Sequence, residues 1–417
     1  MQLIRGHLIE AKRFGEPDIT ENGYIAVEGG VIKGVYADLP EAYAGAPVTD
    51  YSDRLVLQGF CDMHLHASQF PMLGMGMDLP LLDWLRTYTF KTEARFADEA
   101  YARRVYRRFA DALVSNGTTR VCAFSSIHAD ATLILMEELE RAGVSGFVGK
   151  VNMDRNGGEC EETLEDSKRG TLRWLDACGR FSSVRPILTP RFTPSCSDGM
   201  LAWLGALARE RGLFVQSHLS ENRAEIELVK RLHPDCAQYW QTYEKYGLFS
   251  DHTIMAHCVH SDEREQDALI RHGVLCAHCP DSNVNICSGF APVRRMAARG
   301  VWVALGSDIA GGAELPMLRV MTACIRASKA RAVLTGGADA FLTVGEAYYL
   351  ATSAGARYFG DEPGFAPGNR LHAVVIDDSG MPEGVRPLTV KERFERAAYL
   401  SNERSVAAVY GNGKRIK

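Results

Sequence analysis

The feature that most constrains the fold is a regular alternation of short apolar runs with amphipathic segments through the middle of the chain. Eight runs rich in β-branched residues occur at 55–61, 118–124, 146–151, 184–189, 213–217, 253–257, 274–277 and 301–306. Helical patterns lie between them, at 99–116, 131–142, 165–178, 199–211, 222–232, 261–272 and 291–299. Runs without polar alternation are typical of strands buried on both faces, and eight strand–helix repeats close into a parallel barrel. We therefore predict an α/β fold, a (β/α)8 TIM barrel, with further helices at 317–333 and 344–358.

The two ends of the chain have a different pattern. Strand-like segments occur at 3–11 and 24–36, with a hairpin turn at 28–30, and again at 373–376 and 406–410. Neither end is long enough to bury a core of its own, so we predict that both ends pair into one small β-sandwich. The expected organisation is 1–58 and 365–417 as the two parts of the β-sandwich, with the barrel at 59–364.

Composition excludes several classes of function. The net charge is −5 and no cluster of Lys and Arg occurs, which argues against nucleic-acid binding. No apolar stretch approaches the roughly 20 residues of a membrane span, so no membrane association is expected. The 11 cysteines accompany no secretion signal, which favours reduced thiols and a cytoplasmic location. Cys276 and Cys279 form an isolated C-x-x-C without a second pair, and we interpret both as strand residues.

Four residues at the carboxyl ends of barrel strands predict a metal site. His64 and His66 alternate along one strand and therefore project to the same side. His218 and Asp308 follow the fifth and eighth predicted strands, at the end of the barrel where active sites form. A lone histidine at a strand end is usually an ordinary polar residue, but four such side chains at the same end of the barrel favour a set of metal ligands. Three imidazoles and a carboxylate suit Zn²⁺, and Fe²⁺ would fit the same set.

Other polar residues at the same strand ends suggest hydrolytic chemistry. A metal of this kind makes water a strong nucleophile near neutral pH, and Asp308 could accept the proton of that water. Glu221, three residues after His218, is suited to carry a proton, and His257 to stabilise a developing oxyanion. A second metal ion is disfavoured, because the fourth strand has no Lys and Lys150 on the third is wrongly placed. His278 fits a structural role about as well as a functional one.

Several of these segments resemble the amidohydrolase superfamily and, more narrowly, the guanine deaminases. The similar segments are 62–69, 78–85, 88–93, 147–154, 189–192, 216–222, 277–283 and 306–312. The resemblance runs along nearly the whole chain and is strongest between 56 and 312. It implies hydrolytic deamination of guanine to xanthine and ammonia at one zinc ion, with attack at C2 and Glu221 as the proton shuttle. It also implies a homodimer acting in purine salvage or catabolism.

The resemblance also implies which residues contact the substrate. Gln69, Arg191 and Phe192 match the purine-binding positions of the guanine deaminases. The full set of predicted substrate contacts is His66, Gln69, Trp84, Arg191, Phe192, His218, Glu221 and Asp308. Arg191 is a planar fork of donors that suits the O6 and N7 acceptors of guanine and disfavours the amino group of adenine. Gln69 offers a donor and an acceptor to the ring edge. Phe192 or Trp84 could stack on the ring, although core packing explains Phe192 equally well.

Two alternatives remain open from the sequence. Lys91, Asp281 and 258–260 depart from the usual pattern of the guanine deaminases, and leave room for another aminated heterocycle as substrate. Such a substrate would be an aminopurine, a pterin, a triazine or a cytosine-like ring. The second alternative is a non-catalytic scaffold, which is disfavoured because such proteins typically lose metal ligands and this chain keeps all four.

Overall fold

A computed structural model describes all 417 residues of the chain. Its strands are β1 (Gln2–Glu10), β2 (Asp18–Glu28), β3 (Val31–Tyr36), β4 (Val48–Gln58), β5 (Phe60–His66), β6 (Thr118–Phe124), β7 (Ser145–Gly149), β8 (Val151–Asn152), β9 (Val184–Pro190), β10 (Phe214–Leu219), β11 (Thr253–His257), β12 (Leu275–His278), β13 (Trp302–Leu305), β14 (Ala373–Ile376), β15 (Val406–Gly411) and β16 (Lys414–Arg415). Its α-helices are α1 (Leu81–Trp84), α2 (Phe90–Ala94), α3 (Glu99–Ser115), α4 (Ala129–Ala142), α5 (Leu164–Ala177), α6 (Asp198–Arg211), α7 (Arg223–Leu232), α8 (Gln241–Glu244), α9 (Glu263–His272), α10 (Pro280–Asn285), α11 (Val293–Ala298), α12 (Met317–Leu334), α13 (Val344–Ala351), α14 (Ser353–Ala356) and α15 (Val390–Leu400). None of these helices has both the length and the apolar composition needed to span a bilayer.

The barrel is built from eight parallel strands. They pair in the order β5, β6, β7, β9, β10, β11, β12 and β13, with the short β8 beside β9. Two backbone hydrogen bonds close the ring at its carboxyl end, from Asp308 N to His64 O (2.8 Å) and from His66 N to Ile309 O (2.9 Å). The predicted (β/α)8 barrel is therefore confirmed. Its ring closes through the residues that the sequence places in the metal site.

Both ends of the chain form one separate sheet, as predicted. Its strand order is β16, β15, β14, β4, β1, β2, β3, and all neighbours are antiparallel except β1 and β4. The outer hairpins meet through Leu371, whose N–H donates to Gly30 O and whose carbonyl accepts from Gly413 N (both 2.9 Å). A Cβ on Gly413 would lie 2.5 Å from the Gly30 Cα, so this junction requires glycine. The single sheet thus curls around its own apolar cluster of 13 buried residues.

The first predicted barrel strand combines two real elements. Residues 55–58 belong to β4 of the terminal sheet, and β5 begins only at Phe60. Gly59 joins them at a point so close to β6 that a Cβ there would lie 2.4 Å from Thr119 Oγ1. His64 and His66 belong to the last three residues of β5, so both lie on one strand at its carboxyl end, as predicted. Hydrophobicity alone could not separate two strands that are both fully buried.

Helix α15 is the longest helix that was not predicted from the sequence. It lies in the C-terminal segment assigned to strands, yet its Phe394 is buried and packs edge-on against Tyr348, with ring centroids 5.1 Å apart. The C-terminal segment therefore contributes to the barrel core as well as to the terminal sheet. We retain 1–58, 59–364 and 365–417 as proposed segment boundaries.

Candidate active site

The structure brings the four predicted metal ligands together at the carboxyl end of the barrel. His64 and His66 project from the same side of β5, with ring centroids 5.0 Å apart. Asp308 Oδ1, from the turn after β13, lies 3.2 Å from His64 Nε2 and 3.5 Å from His66 Nε2. His218, on β10, places its Nε2 3.2 Å from His66 Nε2. His64 and His66 therefore lie between the other two predicted ligands, with Asp308 beside both of them and His218 beside His66.

The charge state of this cluster suits a divalent cation. Burial lowers the pKa of His64, His66 and His218, which keeps the imidazoles neutral. Burial alone would raise the pKa of Asp308, but the imidazoles of His64, His257 and His66 hold it well below its ordinary value. Neutral imidazoles and an ionised carboxylate are the forms that bind zinc.

Two hydrogen-bonding details also fit a metal ion. His64 Nε2 is buried and has no hydrogen-bond partner, although it faces the rest of the cluster. His218 Nδ1 donates to the backbone carbonyl of Arg191, which leaves the lone pair of its Nε2 directed at the cluster. A hydrogen bond from the ring nitrogen that does not bind the metal is how proteins orient metal-binding histidines. The donor set therefore fits Zn²⁺ or Fe²⁺.

Glu221 lies beside this cluster as a protonatable group. Its Oε1 accepts from Ser288 Oγ (3.1 Å), and its Oε2 lies 3.5 Å from His257 Nε2. Burial, followed by the negative charge of Asp308, raises the pKa of Glu221 to about 8. A carboxyl group that titrates near neutral pH can both accept and release a proton during one reaction.

His257 is held in a defined orientation by a residue that the sequence reading did not single out. Asn283 Oδ1, on α10, lies 2.9 Å from His257 Nδ1 and accepts a hydrogen bond from it. The opposite nitrogen, Nε2, then faces Glu221 Oε2 at 3.5 Å and Asp308 Oδ2 at 3.7 Å. Asn283 lies in the segment 277–283 that resembles the guanine deaminases, but only the structure reveals its hydrogen-bond partner.

One cavity adjoins the cluster. Its lining contains all eight predicted substrate-contacting residues: His66, Gln69, Trp84, Arg191, Phe192, His218, Glu221 and Asp308. His257 and the apolar side chains of Leu81, Leu85 and Ile286 complete it. Trp84, Leu81 and Leu85 come from the segment after β5, whereas the polar residues come from strand ends. The cavity therefore has polar groups on the barrel and an apolar cover.

A buried carboxylate behind the cavity was also missed. Glu93, on α2, is fully buried and accepts from Gln69 Nε2 (2.8 Å) and from Arg191 Nη1 (2.6 Å). Gln69 Oε1 accepts in turn from Ala310 N (3.1 Å). Glu93 lies in the segment 88–93 that resembles the guanine deaminases, but no spacing in the sequence connects it with Gln69 and Arg191, which follow other strands.

Four residues considered from the sequence lie outside the metal cluster or at its margin. Lys150 is buried between β7 and β8 and donates to Glu162 Oε2 (2.7 Å) and Val151 O (3.1 Å), so it is not available to bridge a second metal ion. Cys276 lies in β12 as interpreted, but Cys279 follows that strand and lies near His64 and Asp308. His278 ends β12, and burial lowers its pKa to about 3.

Buried carboxyl groups behind Glu221 predict an unusual pH dependence of stability. Burial, with added repulsion from Glu221, raises the pKa of Glu225 to about 7, and burial raises that of Glu265 to about 7. The folded protein then holds protons that the unfolded chain releases above its ordinary carboxyl pKa of 4.5. The stabilisation is complete below that value and is lost as the pH rises through about 7, by up to about 3 kcal/mol per group.

Urea unfolding of the metal-loaded protein between about pH 5 and about pH 8 measures this effect. Buried histidines contribute a pH dependence of opposite sign, because burial lowers the pKa of His64, His66, His218 and His278. The expected result is therefore a difference: from about pH 5 to about pH 8, Glu265→Gln gains up to about 3 kcal/mol of unfolding free energy relative to the wild-type protein. Equal slopes with pH for the two proteins would contradict the expectation.

The comparisons with known proteins agree with this geometry. The model of the amidohydrolase family matches residues 55–416, and the chain therefore belongs to that family. Guanine deaminase from Dictyostelium discoideum is 34% identical over 100% of this chain and 98% of its own length. The human guanine deaminase is 35% identical over 86% of this chain and 82% of its own length. Within the family, the chain belongs with the guanine deaminases.

A solved structure extends the comparison to three dimensions. The crystal structure of guanine deaminase from C. acetobutylicum, with guanine bound in its active site, superposes with a TM-score of 0.97. It is 40% identical in sequence, and the match covers 100% of both chains. Neither the terminal sheet nor the barrel is therefore an addition peculiar to this chain.

Proposed function

We propose that the protein hydrolyses guanine to xanthine and ammonia at a single zinc ion held by His64, His66, His218 and Asp308. The observation that carries the proposal is one cavity lined both by three of these ligands, His66, His218 and Asp308, and by Gln69, Arg191, Phe192 and Trp84. The metal ligands suit hydrolysis, and the other four side chains suit a flat ring with acceptors on its edge. The place of this chain among the guanine deaminases also supports guanine as the substrate.

The ring would be recognised by its edge and by its faces. Arg191 presents a rigid set of N–H donors to O6 and N7, while Gln69 retains one N–H and one lone pair for the ring. Phe192 and Trp84 are both nearly buried and line the cavity, so either could cover a face of the purine. An amino group at position 6 would face donors on Arg191 and lose its hydrogen bonds, which disfavours adenine.

The proposed reaction forms one C–O bond and breaks one C–N bond at C2. Bound zinc would lower the pKa of the attacking water and bring it to the ring. The attacking water supplies both protons: Asp308 accepts them one at a time, and Glu221 delivers the first to N3 and the second to the departing amine, which leaves as ammonia. His257 lies within 3.7 Å of both carboxylates and stabilises the negative charge that develops on oxygen.

A direct assay tests the substrate. The purified protein is loaded with zinc, mixed with guanine, and followed for xanthine and ammonia. The matched control is 2,6-diaminopurine, which keeps the 2-amino group and carries an amino group in place of O6. We expect turnover of guanine and a rate for 2,6-diaminopurine lower by about 100-fold or more, because an unpaired buried donor is costly. Turnover of a pterin, a triazine or another aminopurine but not of guanine would sink the substrate assignment and spare the chemistry.

The finer features of the proposal have separate tests. Elemental analysis of the purified protein should give one metal ion per chain and distinguish Zn²⁺ from Fe²⁺. We further propose a cytoplasmic enzyme of guanine catabolism that acts as a homodimer, which light scattering on the purified protein would test. A protein without bound metal and without turnover would instead support the non-catalytic scaffold.

A further inference from the structure

The carboxylate of Glu93 joins two substrate-facing side chains from different parts of the barrel. Gln69 follows β5 and Arg191 follows β9, and Glu93 accepts one hydrogen bond from each. Glu93 itself does not line the cavity. It belongs to the same covering segment as Trp84, which does. Glu93 is therefore placed to act on the substrate only through its neighbours.

The donors around Glu93 require a carboxylate at this position. Both Gln69 Nε2 and Arg191 Nη1 are donors, so residue 93 must supply two acceptors. Gln69 cannot rotate its amide to relieve this demand, because Ala310 N donates to its Oε1 from the other side. A glutamine at position 93 has one acceptor oxygen and one NH₂ group, and the NH₂ would face a donor. Either Gln69 or Arg191 would then lose its position.

We propose that Glu93 is the positioning residue that sets the preference of this cavity for purines with an oxygen at C6. The inference rests on the proposed function. Glu93 neutralises and fixes Arg191 while occupying only one of its five N–H donors, which leaves the others for O6 and N7. It also fixes which end of the Gln69 amide points away from the ring. Recognition of O6 thus depends on a residue that never touches the substrate.

The test is Glu93→Gln in the zinc-loaded protein, with two ligands that lack the 2-amino group and cannot be deaminated. Hypoxanthine carries the C6 oxygen and purine does not, and calorimetry gives the dissociation constant of each. We expect wild-type protein to prefer hypoxanthine by about 100-fold, and Glu93→Gln to reduce that preference to less than about tenfold. In the same variant, KM for guanine should rise more than kcat falls, because the reacting groups are untouched.

Glu138→Gln is the matched control. Glu138 is also buried and accepts from arginines, but it lies on α4, away from the cavity. We expect this variant to retain the wild-type preference. If Glu93→Gln does not fold, Glu93→Asp keeps both acceptors on a shorter side chain, and we expect it to have an intermediate preference.

The outcomes separate this inference from the proposed function. Failure of the wild-type protein to deaminate guanine would overturn the proposed function. Wild-type turnover combined with equal binding of the two ligands, or with an unchanged preference in the Glu93 variant, would overturn the role of Glu93 alone.

Discussion

Glu221→Gln is expected to lower kcat for guanine by about 1,000-fold or more while the metal content stays at the wild-type value. The change keeps the shape of the side chain and an oxygen that can accept from Ser288. It removes the group whose pKa burial and Asp308 raise to about 8, and with it the only proposed carrier of protons to the leaving amine. Steady-state kinetics and elemental analysis on one sample measure both quantities.

Ser288→Ala provides the graded control for this prediction. It removes only the hydrogen bond that orients Glu221 and leaves the carboxyl group able to titrate. We expect a loss of about tenfold in kcat, in line with one hydrogen bond to a charged group. A Glu221→Gln variant that keeps more than a tenth of the wild-type rate would show that the proton carrier lies elsewhere. Loss of metal from that variant would identify Glu221 as a ligand instead.

The sequence predicted the barrel well because its signal is repetitive. Eight buried strands alternating with amphipathic helices leave few other folds, and a shift of a few residues in one strand does not change that conclusion. The largest such shift, at 55–61, arose because β4 and β5 follow each other with only Gly59 between them. Helix α15 was missed because its position depends on packing against Tyr348, which local periodicity does not show.

Side chains at strand ends could be predicted as a group because parallel strands deliver them to one rim of the barrel. His64, His66, His218 and Asp308 follow that rule. The structure places the donor atoms of His64, His66 and His218 within 4.8 Å of one another, and Asp308 within the same distance of His64. Glu93, Asn283 and Ser288 do not follow it. Each acts through a hydrogen bond to a residue distant in sequence. Such partners depend on tertiary placement, which a single sequence does not encode in any local pattern.

Asp308→Asn is expected to weaken zinc binding by more than about 100-fold and to lower the activity by about 10,000-fold. Asp308 is the carboxylate that faces the imidazoles of His64 and His66, whose own charges are suppressed by burial. Without its negative charge, neutral nitrogen atoms alone would have to compensate a divalent cation in a buried site. Zinc titration followed by thermal unfolding, with kinetics on the same sample, measures the effect.

The backbone at position 308 makes this substitution a clean test of charge. Its φ of 48° lies in the left-handed region, which asparagine adopts about as readily as aspartate. The backbone hydrogen bonds from Asp308 N to His64 O and from Gly312 N to Asp308 O do not involve the side chain, so ring closure should survive.

Asp281→Asn is the matched control, because Asp281 accepts from Ala313 N in the same group of loops but does not line the cavity. Zinc should raise the unfolding temperature of the wild-type protein and of Asp281→Asn, but not that of Asp308→Asn. If Asp308→Asn binds zinc as tightly as the wild-type protein, the metal is held by histidines alone and the role of Asp308 is confined to proton transfer.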